Sequence, residues 1–384
     1  MKASIASVGP YRIEEEVGRG GMATVYRAIR TSTHGTDQVV AVKVLDAELA
    51  NDPHHVDTFH AEAELSQRLG HRTLVPVLDH GTAEGVHFMV MEFIEGETLS
   101  ALRRRYGRRA KGFPLGHALY VLAEVLDGLQ YAHELRDAEG RPEHLVHRDV
   151  SPRNILVTRT GAVRLLDFGI ARFESRPGTT QVGLVKGTVP YMAPEQAVAA
   201  PLDRRADIFA VGVILHELVT GETVVEDGTT DAQRHALAGL KLTPQWKKVP
   251  LPLRPVLERA IAPSAEQRWN TAAEFAGALR QAIHVLEPDH DPFLLGGLVE
   301  GLRPRPKPDP APEPMVVPAK RRRVARRSAP EWLRAAVAEH LAALDAHGSA
   351  GAREAMAFGV APALGMLALL LTLSGLAYTF ITAV

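Results

Sequence analysis

Three oxygen-bearing side chains fall at fixed spacing near the middle of the chain. Asp149 and Asn154 lie in His147-Arg148-Asp149-Val150-Ser151-Pro152-Arg153-Asn154, and Asp167 opens Asp167-Phe168-Gly169, 18 residues after Asp149. Each stretch is a short polar loop set between apolar, strand-like runs. Asp149 can accept a proton, while Asn154 and Asp167 offer hard oxygen ligands to a divalent cation. Transfer of a phosphoryl group needs these parts: one group to orient the attacking hydroxyl, and ligands for a cation on the phosphate oxygens. Either loop alone could arise by chance. The two together, in order, are hard to obtain by accident.

Upstream, Val17 precedes a glycine-rich turn, Gly18-Arg19-Gly20-Gly21-Met22-Ala23. Glycine lets the backbone approach phosphate oxygens with its N–H groups free. The same spacing opens dinucleotide-binding folds, where a helix must follow. Here Thr24-Val25-Tyr26-Arg27-Ala28-Ile29 follows, β-branched and aromatic, so the expectation is a β-hairpin clamped over a nucleotide. Next comes Val39-Val40-Ala41-Val42-Lys43-Val44-Leu45, a strand with one cation. A lysine in such a run is costly unless paired. Glu62, 19 residues on, is the candidate partner, with Phe59 and Leu65 at helical spacing around it; Glu64 is a rival at a different helical phase.

With these motifs in order, residues 11–285 resemble a protein kinase of the bacterial eukaryotic-like (Hanks-type) serine/threonine class. The resemblance implies an α+β, two-lobed fold. A β-rich N-lobe with one regulatory helix would span about 11–91, the hinge 92–96, and a mostly helical C-lobe 97–285. It also implies ATP and Mg²⁺ (with Mn²⁺ as a substitute) and protein substrates bearing serine or threonine. Lys43 would hold the α- and β-phosphates and pair with Glu62, Asp149 would act on the substrate hydroxyl, and Asn154 and Asp167 would ligate the metal. Val17, Gly18, Arg19, Gly20, Gly21, Val25, Ala41, Met91, the Glu92 carbonyl, the Ile94 backbone and Leu156 would line the nucleotide site, with Glu97 a candidate ribose contact. His147 reads as architectural. The run Gly187-Thr188-Val189-Pro190-Tyr191-Met192-Ala193-Pro194-Glu195 resembles the substrate segment of serine/threonine kinases; Thr188 would touch Asp149, and Glu195 would pair with Arg268. Asp207 resembles the acid that caps the catalytic loop from below. Arg148 would answer a phosphate on the activation segment, with Thr180 and Thr179 the expected sites and Ser175 a lesser one.

Two positions depart from the pattern. Ala23 stands where a third loop glycine is usual. Ser151 stands where serine/threonine kinases place lysine, and Arg153 where tyrosine kinases place a substituting arginine, so Arg153 is a candidate third catalytic residue. A catalytically weak or silent scaffold would carry the same departures.

Composition bounds the rest. The 384 residues, 46% hydrophobic, suffice for a large core. No cysteine is present, which removes disulfides and thiolate metal sites. The basic run Arg103–Lys111 reads as a solvated loop or a docking point for an acidic partner. Residues 286–329 are expected to be a disordered linker: Arg303–Arg327 holds seven prolines and nine Lys/Arg against two acids. A short amphipathic helix is expected over 330–346. Phe358–Ile381, 24 residues without a charge, would span about 36 Å as a helix, enough for a bilayer core of about 30 Å. The expectation is a single-pass, tail-anchored protein of the cytoplasmic (cell inner) membrane with its kinase part in the cytoplasm. Its basic tether would lie against anionic lipid, with no nucleic acid as partner and self-association for trans-autophosphorylation.

Overall fold

The strand that carries Lys43 sets the frame of the amino-terminal half. In β4 (Asp37–Leu45) Val40, Val42 and Val44 join one apolar cluster with Tyr11, Ala28 and Phe88, while Ala41 and Leu45 join another with Phe59, Ala63 and Met91. This is the two-residue period of a strand buried on both faces, and it puts Lys43 on the face of Ala41 and Leu45. The structure, a computed structural model, describes residues 6–31, 37–106, 112–168, 189–198, 200–222 and 244–301. Among these, β1 (Ser7–Val8), β2 (Tyr11–Arg19), β3 (Ala23–Thr31), β4, β5 (Val77–Ala83) and β6 (Val86–Glu92) form an antiparallel sheet in the order β1-β2-β3-β4-β6-β5. The glycine-rich turn thus joins two strands, β2 and β3. The sheet begins earlier than expected. Ser7 and Val8 already pair with Arg12 and Tyr11, because Val8 has an apolar cluster to enter.

Helix α1 (Pro53–Gln67) lies on the second cluster. Asp52 caps it by accepting a hydrogen bond from the His54 backbone at 3.0 Å, and Pro53 occupies the first turn, where its missing N–H costs nothing. Phe59, Glu62, Ala63 and Ser66 form its buried face, whereas Glu64 is exposed. Helical phase therefore decides between the two carboxylates.

The expected hinge is shorter at its far end, because Gly96 already belongs to β7 (Gly96–Thr98). That strand pairs with β8 (Ile155–Thr158), which pairs with β9 (Val163–Leu165). Around this small sheet stand α2 (Leu99–Tyr106), α3 (Leu115–His133), the short α4 (Pro194–Ala197), α5 (Arg205–Thr220), α6 (Arg254–Ala260) and α7 (Ala272–Leu286). Helix α3 is apolar nearly all round, as a helix at the centre of a core must be.

The linker expected from residue 286 is corrected over its first residues. After α7 the chain turns, and Asp291 caps a short turn by accepting from the Phe293 backbone at 2.9 Å. It then forms α8 (Leu295–Glu300) against the core. Leu295 and Val299, one helical turn apart, are both buried, which supplies the apolar anchor that the proline-rich run downstream lacks. The fit needs glycine: a Cβ on Gly296 would stand 1.9 Å from the Arg159 carbonyl oxygen. The rest of the linker, the helix expected over 330–346 and the span expected over 358–381 lie outside the described residues. Among the described residues no helix is long and apolar enough to cross a membrane.

Two histidines of the helical half give a pH prediction. Burial pushes His216 in α5 down to about 4, and burial together with the neighbouring His290 pushes His117 in α3 down to about 4. Both are neutral in the folded protein where the unfolded chain, titrating near 6.5, takes up protons. Stability should therefore fall as pH drops from about 6.5 toward 4. Thermal midpoints across that range should decline, and His216→Leu should make the decline shallower. An unchanged decline in that variant would count against His216 as a source.

Candidate active site

Lys43 is the buried cation that gathers two carboxylates into one cluster. Its Nζ donates to Glu62 Oε1 at 2.8 Å and lies 3.2 Å from Asp167 Oδ2. Desolvation is the largest influence and pulls the ammonium down, but Asp167 and then Glu62 outweigh it and hold its pKa above the ordinary value. Lys43 is therefore charged throughout the usable pH range. The pairing joins β4 and the helix that follows it, α1, to the Asp167 loop, which is distant in sequence.

The loop bearing Asp149 is held from below. Asp207, in the first turn of α5 and fully buried, accepts from the backbone N–H groups of His147 and Arg148, both at 2.8 Å. Its Oδ2 is also 2.8 Å from His133 Nε2. Burial alone would raise this carboxyl, but the hydrogen bond and charge of His133, then His147, bring it below the ordinary range. The two backbone bonds clamp a strained turn, since Arg148 has φ +67°. The Arg148 carbonyl accepts from Gln196 Nε2 at 3.0 Å, tying the loop to α4. The His147 ring donates through Nε2 to the Leu166 carbonyl at 2.9 Å and lies against Phe168, so it joins the two loops structurally.

Asn154 Nδ2 donates to the Asp149 carbonyl and to Asp149 Oδ2, each at 2.8 Å. Its amide nitrogen being engaged, Asn154 offers its oxygen to a cation, and Asp167 offers a carboxylate at the cleft. These are hard donors that fit Mg²⁺, which takes few protein ligands and completes its shell with water and phosphate oxygens. Among the described residues no group of three or more His, Cys, Asp or Glu is gathered for a metal.

A cleft of about 690 Å³ opens beside these groups. Its lining includes Val17, Gly18, Val25, Met91, Ile94, Glu97, Arg153, Leu156 and Asp167. Ala41 is buried in β4 and Glu92 is exposed at the end of β6; neither lines the cleft, and nor do Arg19, Gly20, Gly21, Lys43 and Glu62, although Lys43 and Glu62 meet the cleft-lining Asp167 through their ion pairs. Arg19 instead pairs with Glu16 at 2.8 Å, and Gly20 N–H bonds the Ala23 carbonyl to close the turn. Ser151 is buried, whereas Arg153 is exposed in the cleft.

Arg268, buried in the helical half, donates to Glu195 at 2.6 and 2.9 Å and to the carbonyls of Ala262, Pro263 and Arg205. The pairing joins α4 to the turn before α7. Thr188, Thr180, Thr179 and Ser175 lie outside the described residues.

Sequence reasoning missed one buried network. Arg103 in α2 donates to Glu217 Oε1 at 2.6 Å, and the Tyr191 hydroxyl donates to Glu217 Oε2 at 2.7 Å. Burial raises the Glu217 carboxyl against the pull of Tyr191 and Arg103. Arg103 is therefore committed inside the fold instead of standing free in the basic run. The available signal was the lone Glu217 in the apolar stretch of α5. Glu15, Arg27, Phe93, Arg159 and Val299 also line the cleft without having been expected there.

Known proteins resemble the chain over this region. The family model for the protein kinase domain matches residues 11–278. The tyrosine-protein kinase MasK of Myxococcus xanthus is 39% identical over 296 residues, covering 76% of this chain and 46% of that one. The serine/threonine-protein kinase Pkn1 of Myxococcus xanthus is 38% identical over 288 residues, 72% of this chain and 38% of the relative. PknA of Mycobacterium tuberculosis, also a serine/threonine-protein kinase, is 35% identical over 287 residues, 72% and 62%. The chain thus spans less than two thirds of these relatives. Among solved structures, the kinase domain of Mycobacterium tuberculosis PknI is 27% identical, with a TM-score of 0.51, covering 73% of this chain and 99% of that one.

Removing one partner of a buried ion pair strands the other. Glu195→Ala is therefore expected to lower folding stability by roughly 3 kcal/mol. Urea unfolding monitored by tryptophan fluorescence measures this, and a loss too small to resolve would show that the carbonyls alone satisfy Arg268.

Proposed function

The chain belongs to the protein kinase family, and from that premise we propose that it transfers the γ-phosphoryl group of ATP to serine and threonine hydroxyls of proteins, its own activation segment included. The observation that carries this reading is Lys43 bridging Glu62 and Asp167 at 2.8 and 3.2 Å, beside Asp149 and Asn154 at 2.8 Å from each other.

Lys43 neutralises the α- and β-phosphates. Asp149 Oδ2, held by Asn154, orients the acceptor hydroxyl and takes its proton. As the oxygen–phosphorus bond forms, the bond from the γ-phosphorus to the ADP oxygen breaks, with ADP as leaving group. Asn154 and Asp167 would hold Mg²⁺. The ion, when bound, offsets the charge on the phosphate oxygens. Arg153 supplies the positive charge that Ser151 cannot, a role supported by the exposure of Arg153 in the cleft and the burial of Ser151. An inactive scaffold is disfavoured, since the Lys43 pairing is already formed.

Tyrosine is the second reading for the acceptor. It is favoured by the Ser151 and Arg153 pair and by the similarity to the tyrosine-protein kinase MasK. The Gly187-Thr188 start of the substrate segment favours serine and threonine.

Membrane attachment is the second part of the proposal. The uncharged run Phe358–Ile381 spans the bilayer, with Lys320–Arg323 on the cytoplasmic side near anionic lipid. Neighbouring copies held in one bilayer would then phosphorylate each other. Cell fractionation tests this: deleting residues 358–384 should move the protein from the membrane to the soluble fraction, and no change would refute the anchor.

Asp149→Asn should lower transfer by about 10²–10⁴-fold while ATP binding stays within about twofold of the parent. Loss of ATP binding would contradict the assigned role. Arg153→Ala should reduce turnover, and an unchanged rate would remove Arg153 from the mechanism. Incubation with ATP and Mg²⁺ should yield phosphothreonine at Thr180 or Thr179, absent in Asp167→Ala. Phosphotyrosine alone would establish the second reading.

A further inference from the structure

The nucleotide cleft includes a side chain from beyond the part of the chain that matches the kinase family. The match ends at residue 278, yet Val299 lines the cleft. It belongs to α8, which is seated firmly. Leu295 is fully buried and Val299 nearly so. Tyr106 donates from its hydroxyl to the Leu298 carbonyl at 3.3 Å. The helix meets the turn between β8 and β9 backbone to backbone. Gly161 there has φ +81°, and a Cβ on it would stand 3.2 Å from the Pro292 carbonyl oxygen, while one on Gly296 would collide with the Arg159 carbonyl. A contact this close leaves no slack, so the position of α8 follows that of β8, which also carries Leu156 under the cleft.

The location selects the part of the ligand involved. Glu97 pairs in register with Val157, and Gly96 with Thr158. Val299 lines the same cleft as Glu97 and Arg159, on a helix packed against β8 and the turn after it, whereas Met91 and Ile94 bring the end of β6 and the segment after it to the cleft. We propose that Val299 is a nucleotide-positioning residue that packs on the ribose of ATP, so that the segment 287–301 is a working part of the site. The proposal rests on the reading of this cleft as an ATP site. An apolar wall on one side and the Glu97 carboxylate on the other would hold the sugar between them, and with it the angle at which the phosphates leave toward Lys43 and Asp167.

The test uses the full chain and compares the affinities of adenine, adenosine and ATP by calorimetry. Val299→Ala removes contact area only, and Gly296→Val forces α8 off its seat. Both should weaken adenosine and ATP by about 3- to 10-fold and leave adenine within about twofold. Retained adenine binding also reports that each variant is folded. If Gly296→Val does not fold, Val299→Ala decides alone. Unchanged adenosine and ATP affinity, or an equal loss for adenine, would overturn the proposal. A parent chain that binds none of the three would instead overturn the ATP reading beneath it.

Discussion

A single buried carboxylate holds the loop of Asp149 in a shape it would not keep alone. Asp207 accepts from two successive backbone N–H groups, at His147 and Arg148, and is itself balanced by His133. Arg148 sits in left-handed backbone space, which is costly for any residue with a Cβ. Without Asp207 the loop would relax, and Asp149, the next residue, would leave its place beside Asn154. The carboxylate stays ionised because it is hydrogen-bonded, and the bonds stay strong because water is excluded. Site geometry and core stability thus rest on the same buried charge.

Lys43 performs the matching task from the other half of the chain. It is tolerated in a buried strand because two carboxylates flank it. Those carboxylates come from α1 and from the loop after β9, so satisfying one cation aligns three segments. Arg268 and Glu195 repeat the principle in the helical half, where a guanidinium with four separate acceptors fixes α4.

Much of this could be read from residue spacing alone. The apolar run around Lys43 marked a strand whose one cation needed a partner, the hairpin followed from Thr24-Val25-Tyr26, and the helical phase of α1 separated Glu62 from Glu64. Those features are local. Of the Arg103–Glu217 pair, 114 residues apart in sequence, only the acid in its apolar stretch was legible, not its partner. Arg103 sits among other basic residues that resemble a solvated surface, and only the tertiary fold brings one of them under α5. Helix α8 was missed for a different reason. Prolines flank it and Gly296-Gly297 lies within it, so propensity argues for a loop, while close packing against Gly161 and Arg159 overrides that preference.

The seat of α8 also bears on where the folded unit ends. The last residue matching the family is 278, but the last deeply buried side chain is Val299 among the described residues. A domain border belongs at the end of burial, not at the end of likeness. A chain cut after Leu286 would lose the cover that Leu295 and Val299 provide and open their apolar seat beside β8 to water. Such a fragment would gain a sticky surface, and its solubility would suffer even with every catalytic group intact.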